Sequence, residues 1–351
     1  MSSGGPQPLA ADAVARVLVA GASGYAGALA AELCWLHPRL ELVHATARSD
    51  VGVALRELYP QHTAPIALEE LDLGSLDGID AAIVAYPHGA SAPVVAEMRG
   101  LGISVVDLSA DFRLRDVPTY ERWYGPHGDP DLLDGAAYGL TELNREAIAG
   151  AGLVANPGCY PTATVLALAP LAEAGLIEDV IVDAKSGVSG AGRGAADEME
   201  ALKRSEDSRP YKVGGHRHMP EIEQELTALA ATGNGSGGRA IPVTFIPHLL
   251  PFDHGELVSC YVSGAGDLDA GELRALYRDR YAEEPFVQLS DQPPGVSSVR
   301  GTNLCRIHVT AADGGRVIAF AVIDNLWKGA ASQAIQNLNL MLGLPEGEGI
   351  S

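Results

Sequence analysis

The sequence predicts an α/β protein in two parts: a doubly wound parallel sheet, then an α+β region on a mostly antiparallel or mixed sheet. Two observations carry this. In the first half, short apolar strands alternate with helical patterns, and the first strand runs into a glycine-rich turn, Gly21 to Gly27. In the second half, runs of alternating polar and apolar residues follow one another. Strand–helix alternation builds parallel sheets, whereas successive strands build antiparallel ones. A chain of 351 residues holds two cores, since single cores stop growing at around 250 to 300 residues.

The apolar fraction of 47% and charged fraction of 20% are those of a soluble globular protein. Acidic side chains outnumber basic ones 45 to 24, a formal net charge of −21, which speaks against nucleic acid or an anionic membrane as partner. Cys34, Cys159, Cys260 and Cys305 are far apart and form no C-x-x-C pair. Neither a zinc site nor a disulfide framework is expected, and a reducing cytoplasm is implied. No run of about 18 apolar residues occurs, and the N-terminal stretch lacks a basic start and an apolar core, so neither a membrane span nor a signal peptide is expected. Met1 to Ala15 reads as a disordered tail.

Val17-Leu18-Val19-Ala20 reads as a buried strand, and the helical pattern after the glycine turn extends to Leu36. Strand, glycine turn and helix in that order present backbone N–H groups to a phosphate. The spacing is G-x-x-G-x-x-G rather than the G-x-G-x-x-G fingerprint, so a plain tight turn is the alternative. The strand Leu40 to Ala47 ends at Arg48-Ser49-Asp50. NAD-preferring proteins place an acid there for the ribose hydroxyls. An arginine and a serine suit a 2′-phosphate and favour NADP(H), with a solvated loop arginine as the alternative.

Ala81 to Tyr86 and Ser104 to Ser109 read as further strands. The first stops at Pro87-His88-Gly89, with Ser91 opening a helix. The second delivers Asp111-Phe112-Arg113 to the carboxyl edge, where ligands of parallel sheets lie. Arg113 is a bidentate partner for a carboxylate or phosphate, or the arm of an exposed salt bridge. Gly125 to Gly139 reads as a loop, Leu140 to Ile148 as a helix capped by Thr141, and Leu153 to Ala155 as a short strand.

That strand feeds Asn156-Pro157-Gly158-Cys159-Tyr160-Pro161-Thr162. The run that follows is rich in alanine and leucine and lacks glycine until Gly175. A helix is expected, with Pro161 at its first position, where a missing N–H costs nothing. A thiol at a helix mouth meets unpaired N–H groups and the positive end of the dipole, which favour thiolate. Cys159 is therefore a candidate nucleophile, the alternative being a small buried apolar residue beside a turn.

Val180 to Ala184 reads as a strand aimed into the glycine-rich stretch Lys185 to Gly194, which either brings N–H groups to a ligand or is a flexible loop. His216-Arg217-His218 supplies two imidazoles two residues apart. Such residues share a face only in an extended chain, so one of the two is expected to reach the cysteine. A metal reading lacks third and fourth ligands at recognisable spacing, while histidine is the usual acid/base at neutral pH. Pro220 starts a helix, Glu221 to Ala230. Gly233 to Gly238 is a low-complexity turn, and Ile241 to Ile246, Glu256 to Ser263, Asn303 to Thr310 and Arg316 to Ile323 read as strands whose sheet can offer one face to a partner subunit. The last helix, Leu326 to Leu342, stops at Gly343 and Pro345 and is assigned to the first domain.

In order along the chain, Gly21 to Gly27, Pro87-His88-Gly89-Ala90-Ser91, Ser109 to Arg113, Asn156 to Thr162, Ser186 to Arg193, His216 to Glu221 and Asp324 to Gly329 resemble N-acetyl-gamma-glutamyl-phosphate reductases, enzymes of arginine biosynthesis. The likeness runs from about Arg16 to Leu344, and the cysteine and His-Arg-His stretches are its specific parts. It implies a Rossmann-type NADP-binding domain over residues 16–157, completed by a C-terminal helix over 326–343, and a catalytic, substrate and dimerisation domain over 158–325. It implies Cys159 as nucleophile and His218 as acid/base, with Arg113, His216, Ser189 and Asn156 as substrate ligands. Gly21, Ser23, Gly24, Tyr25, Gly27, Arg48, Ser49, Pro87, Ser186, Gly187 and Asn325 are the implied NADP(H) site, with no metal. A small acyl-phosphate substrate, a homodimer or homotetramer, and a cytoplasmic enzyme follow from the same resemblance.

On that resemblance Cys159 takes the acyl group from phosphate as a thioester, hydride reduces it, and His218 moves the proton. N–H groups beside Cys159 and in the Ser186 to Gly190 loop are expected to hold the oxyanion. The alternatives are a related reductase for aspartyl phosphate or carrier-bound aminoadipyl phosphate, a cofactor-free thiol hydrolase or acyltransferase, and a non-catalytic dinucleotide-binding sensor.

Overall fold

The computed structural model describes residues 15–232, 240–266 and 268–350. The expected N-terminal tail, apart from Ala15, and the turn Gly233 to Gly238 lie outside the described residues. The chain divides into two compact units, residues 1–157 with 330–351, and residues 158–329.

In the first unit β1 (Ala15–Ala20), α1 (Tyr25–Leu36), β2 (Leu40–Thr46), α2 (Leu55–Leu58), β3 (Ala81–Val84), α3 (Ala92–Gly100), β4 (Ser104–Asp107), α4 (Val117–Tyr124), β5 (Ala136–Tyr138), α5 (Thr141–Ala149) and β6 (Leu153–Ala155) follow in order. The strands form a six-stranded sheet, β2-β1-β3-β4-β6-β5, with every pair parallel. Strands covered on both faces read as continuous apolar runs, and Val17 to Ala20 and Ala81 to Val84 are fully buried. The stretch Gly125 to Gly139 is not loop throughout, because β5 lies inside it. Three residues carry too little alternation to show in sequence, and pairing with β6 makes them a strand.

Neither Ser91 nor Thr141 caps its helix through its side chain. Asp111 caps α3 from a distance. Its carboxylate accepts from the N–H groups of Gly89 (2.7 Å), Ser91 (3.1 Å) and Ala92 (3.0 Å) and from the Tyr120 hydroxyl (2.8 Å), while the Ser91 hydroxyl donates to Asp107. Thr141 is the first residue inside α5 and donates to Asn337 (2.8 Å).

The second unit contains α6 (Cys159–Glu173), β7 (Asp179–Gly187), α7 (Ala196–Ser205), β8 (Arg209–Pro210), α8 (Met219–Thr232), β9 (Val243–Leu250), β10 (Glu256–Ser263), α9 (Ala270–Tyr281), β11 (Val287–Leu289), β12 (Cys305–Ala312) and β13 (Arg316–Ile323). Its seven-stranded sheet runs β11-β12-β13-β10-β7-β9-β8. The sheet is mixed: β7 with β9 and β11 with β12 are parallel, the other pairs antiparallel. The helices α7 and α9 were not legible in the sequence. Each anchors itself by only a few apolar residues, Met199 and Leu202 in α7 and Leu273, Tyr277 and Tyr281 in α9.

The helix α6 is apolar all round, and every residue from Tyr160 to Ala172 is buried, as befits the centre of a core. It packs on α8, α9, β10 and β13. The helix begins at Cys159 with Gly158 as N-cap, so Pro161 stands third rather than first. It is tolerated there because first-turn N–H groups have no partner within the helix. Pro170, further in, removes the N–H that the Leu166 carbonyl would accept four residues on. The Tyr281 hydroxyl donates to that carbonyl instead, and Tyr277 donates to the carbonyl of Ala167 (2.6 Å).

The C-terminal stretch is not one α-helix. A π turn, Trp327–Ala331, closes with the Gly329 N–H on the Asp324 carbonyl (3.0 Å), and α10 (Ser332–Met341) follows. The wide turn brings the Gly329 backbone against Cys159, so close that a β-carbon on Gly329 would lie 2.8 Å from Cys159 Cβ. α10 belongs to the first unit, where buried Asn337 donates to the Gly139 carbonyl (2.8 Å) and to Asn156 (3.0 Å). Among the described residues no helix is long and apolar enough to cross a membrane.

Tyr281→Phe strips the buried Leu166 carbonyl of its hydroxyl donor and is expected to lower stability by about 1–3 kcal/mol, read as a lower urea midpoint.

Candidate active site

The parallel sheet gathers Gly21, Ser23, Gly24, Tyr25, Gly27, Arg48, Ser49 and Pro87 at the carboxyl ends of β1, β2 and β3. A β-carbon on Gly21 (φ +88°) would meet the Ala85 carbonyl oxygen at 2.5 Å, and one on Gly27 would meet the Gly21 oxygen at 2.3 Å. These two glycines are sterically required, whereas the nearest atom to Gly24 is at 3.7 Å. Gly24 is the N-cap of α1, which has no side-chain cap and no acidic residue in its first turn, so the positive end of this helix is left unneutralised. Ser23 Oγ lies 3.4 Å from Ser49 Oγ, and the Tyr59 hydroxyl donates to the Ser23 carbonyl (2.6 Å). The exposed Arg48 guanidinium sits over the Tyr86 ring, 5.3 Å from its centre. An uncapped helix start, a closely approaching backbone and an exposed guanidinium suit a dinucleotide carrying an extra phosphate.

Arg113 is only 5% exposed, so the exposed salt bridge is not what forms. Its guanidinium donates to the carbonyls of Asn156 (2.7 Å) and Leu108 (2.7 Å), at the ends of β6 and β4. Asn156 is also turned into the fold, donating to the Ala330 carbonyl (3.2 Å) and accepting from Asn337 (3.0 Å).

In the second unit Cys159 is half-buried at the first position of α6. The Gly158 N–H beside it donates to Glu221 Oε1 (2.9 Å), a carboxylate only 1% exposed in the first turn of α8. His216 and His218 both face the residue after the cysteine. Their ring centres lie 5.7 and 5.9 Å from that of Tyr160, edge-on, and 4.9 Å from each other. Both rings pack on Tyr160 because the segment turns rather than extends, with the Met219 N–H on the His216 carbonyl (3.1 Å).

The two histidines differ electrostatically. Burial, with the Lys212 and Arg217 charges adding, lowers His216 to about 4, so its ring is neutral near pH 7. The His218 N–H donates to His216 Nδ1 (3.2 Å), which puts the ring proton on Nε2, 3.4 Å from the Tyr211 hydroxyl.

Ser186, Gly187, Ser189 and Asn325 meet around Gly255. Asn325 donates to Ser189 Oγ (3.0 Å) and accepts from the Gly255 N–H (2.7 Å). A β-carbon on Gly187 would lie 2.6 Å from the Asp253 oxygen. The N–H groups of Gly187, Val188 and Ser189 donate to the carbonyls of Gly255, Phe252 and Asp253, each at 2.9 Å. The expected oxyanion role of this loop's backbone is therefore not available at these three positions, because their N–H groups already hold the neighbouring turn.

Three side chains near the cysteine escaped the sequence reading. Asp324 is fully buried and accepts from the Leu326, Trp327 and Gly301 N–H groups and from His254 (2.6 Å), and the hydrogen bond with Asp324 raises His254. Glu221 has no sequence signal beyond its place after Pro220. Glu256 does have one. It opens β10 in phase with Val258, Cys260 and Val262, all buried, so a period of two puts this acid on the core face. Burial, reinforced by the Asp324 charge and opposed by a hydrogen bond with Cys159, pushes Glu256 up to about 8.

Two family models match the chain: the NAD binding domain of semialdehyde dehydrogenases over residues 16–151, and their dimerisation domain over 159–325. The class is thus that of the semialdehyde dehydrogenases. The N-acetyl-gamma-glutamyl-phosphate reductase of Desulforudis audaxviator is 47% identical over 346 residues, 95% of this chain and 97% of the relative. That of Pseudomonas fluorescens is 44% identical over 345 residues, covering 96% and 98%. The chain belongs to the N-acetyl-gamma-glutamyl-phosphate reductase family. Among solved structures, aspartate semialdehyde dehydrogenase II from Vibrio cholerae shares the fold, with a TM-score of 0.72 at 18% identity over 94% of this chain and 98% of that one. An aspartate semialdehyde dehydrogenase from Candida albicans, solved with NADP, has a TM-score of 0.64 at 16% identity over 94% and 98%.

A histidine whose folded value is depressed leaves the folded chain short of a proton that the unfolded chain binds, so its contribution is full above the unfolded value of 6.5 and is lost as pH falls towards 4. His216→Gln is expected to flatten this acid limb, by up to about 1.4 kcal/mol per pH unit, read as urea midpoints between those pH values.

Proposed function

We propose that the chain catalyses NADPH-dependent reduction of N-acetyl-gamma-glutamyl phosphate to N-acetylglutamate 5-semialdehyde and phosphate, a step of arginine biosynthesis. The observation that carries the reading is a cysteine at the first turn of a buried helix, with two imidazoles against the next residue, in a chain 47% identical to a reductase of that name.

The Cys159 sulfur attacks the acyl carbon, the C–O bond to phosphate breaks, and a thioester remains. The first turn of α6 favours the sulfur as an anion. A soft nucleophile is needed because a thioester accepts hydride where a carboxylate does not. Bound NADPH supplies that hydride. His218 gives the proton to the substrate oxygen and takes it back as the semialdehyde leaves. His216, neutral and carrying its proton on Nε2, serves the substrate as a hydrogen-bonding group, along with Arg113 and Ser189, while Asn156, its amide taken up by Ala330 and Asn337, holds the fold instead. Gly21, Ser23, Gly24, Tyr25, Gly27 and Pro87 hold the dinucleotide, Arg48 and Ser49 its 2′-phosphate, with Ser186, Gly187 and Asn325 assigned to the same cofactor.

The domain reading gives residues 16–157 and the C-terminal helix to NADP(H), and 158–325 to substrate and self-association. Tyr261 and Ile181, opposite each other on β10 and β7, are 38% and 43% exposed, which supports a second copy on that face and hence a homodimer or homotetramer. Four cysteines without a disulfide fit a reducing cytoplasm.

With NADP and phosphate, N-acetylglutamate semialdehyde is expected to generate NADPH absorbance and aspartate semialdehyde is not, whereas the opposite result makes this an aspartyl-phosphate reductase. Cys159→Ser is expected to abolish turnover while cofactor binding persists; retained turnover removes the nucleophile. Arg48→Ala is expected to weaken NADPH about tenfold or more and NADH little, measured as dissociation constants.

A further inference from the structure

One buried ionisable group beside the nucleophile has no part in the chemistry above. Glu256 is fully buried at the start of β10, the strand on which α6 packs. Both carboxyl oxygens are buried without a hydrogen-bond partner, and Cys159 is the side chain near enough to act on the carboxyl as a donor. On the other side of the cysteine the Gly329 backbone leaves no room for a β-carbon, which confines the sulfur.

We propose that Glu256 is the group that takes the Cys159 thiol proton, so that sulfur and carboxyl share one proton and the nucleophile is charged without help from a histidine or from water. The proposal rests on Cys159 being the nucleophile, as read above. In the step, the S–H bond of Cys159 breaks as an O–H bond forms on Glu256. The pair carries one negative charge before and after this transfer, none while the sulfur holds the acyl group, and one again once the thiolate is released. When the acyl group leaves, the thiolate is regenerated with the proton still on Glu256, so turnover closes with no proton gained or lost by the pair. His218 is then left to the substrate oxygen alone.

The physical drive is the placement of that single charge. A buried carboxylate without a cation or a backbone donor is poorly solvated, and the groups around Glu256 do not compensate. Tyr160 on α6 and Tyr211 ahead of α8 are uncharged neighbours of Glu256; burial holds each above its usual value, and the Glu256 charge adds to that. Asp324, after β13, opposes a second negative charge and is itself engaged by His254. The sulfur, at the first position of α6, has the positive end of a long helix behind it. The charge is better placed on sulfur and the proton on carbon-bound oxygen, in line with a Glu256 that holds its proton to about pH 8.

Two groups that share a proton titrate as a pair, in two macroscopic steps. The test is the rate of Cys159 alkylation by iodoacetamide across pH, followed by mass spectrometry of the Cys159 peptide, in the full-length wild type, Glu256→Gln and His218→Asn. The wild type is expected to rise in two steps, the second above about pH 8, with Glu256→Gln collapsing them to one and His218→Asn keeping both. A single step in the wild type overturns the proposal, whether or not Glu256→Gln folds; so does a two-step profile that Glu256→Gln leaves intact or that His218→Asn abolishes. Alkylation needs neither substrate nor cofactor. A chain that reduces another acyl phosphate would still show both steps, and one that turns over N-acetylglutamate semialdehyde with a single step keeps its function and loses this inference.

Discussion

The first turn of α6 is the constraint around which the second unit is built. A helix buried on every side has to be satisfied at its ends and at any break in its ladder, and each need is met by a residue far away in sequence. Glu221 takes the Gly158 N–H, and Tyr277 and Tyr281 serve the carbonyls around Pro170. The π turn carrying Gly329 presses on Cys159 itself. The rigidity of that surround is what gives one side chain, the thiol, a fixed place.

Two helix starts of the first unit are treated in contrasting ways. The N-terminus of α3 is filled by Asp111, whose carboxylate accepts three backbone N–H groups, and so has no capacity left for an anion. The N-terminus of α1 has neither a side-chain cap nor an acid in its first turn, and its approach is kept open by glycines that no other residue could replace at Gly21 and Gly27. A helix start closed by a built-in carboxylate is structural. One left open beside an exposed arginine is suited to a phosphate from outside.

The histidine pair illustrates how burial divides labour between like residues. His216 is buried among Tyr160, Tyr211 and Phe245 and beside two cations in Lys212 and Arg217, so it stays neutral at physiological pH. It fixes the turn through the His218 N–H and thereby sets where the second imidazole stands. Sequence spacing alone expected one of them to reach the cysteine; the turn in the backbone sets both rings against Tyr160.

What the sequence determined by itself was local and periodic. The parallel and mixed sheets followed from patterns that burial imposes on strands and helices, and Gly21, Gly27 and Cys159 were legible because each belongs to a turn whose neighbours announce it. Only the tertiary structure decided what stands around the cysteine. Glu221, Glu256, and Asp324 with Gly329 arrive there from three separate segments, and the N–H groups of Gly187 to Ser189 are consumed by a turn more than a strand away. The reason is physical: propensity and periodicity act between near neighbours along the chain, whereas the desolvation, hydrogen bonding and close packing that tune a thiol depend on which distant segments the folded core brings into contact.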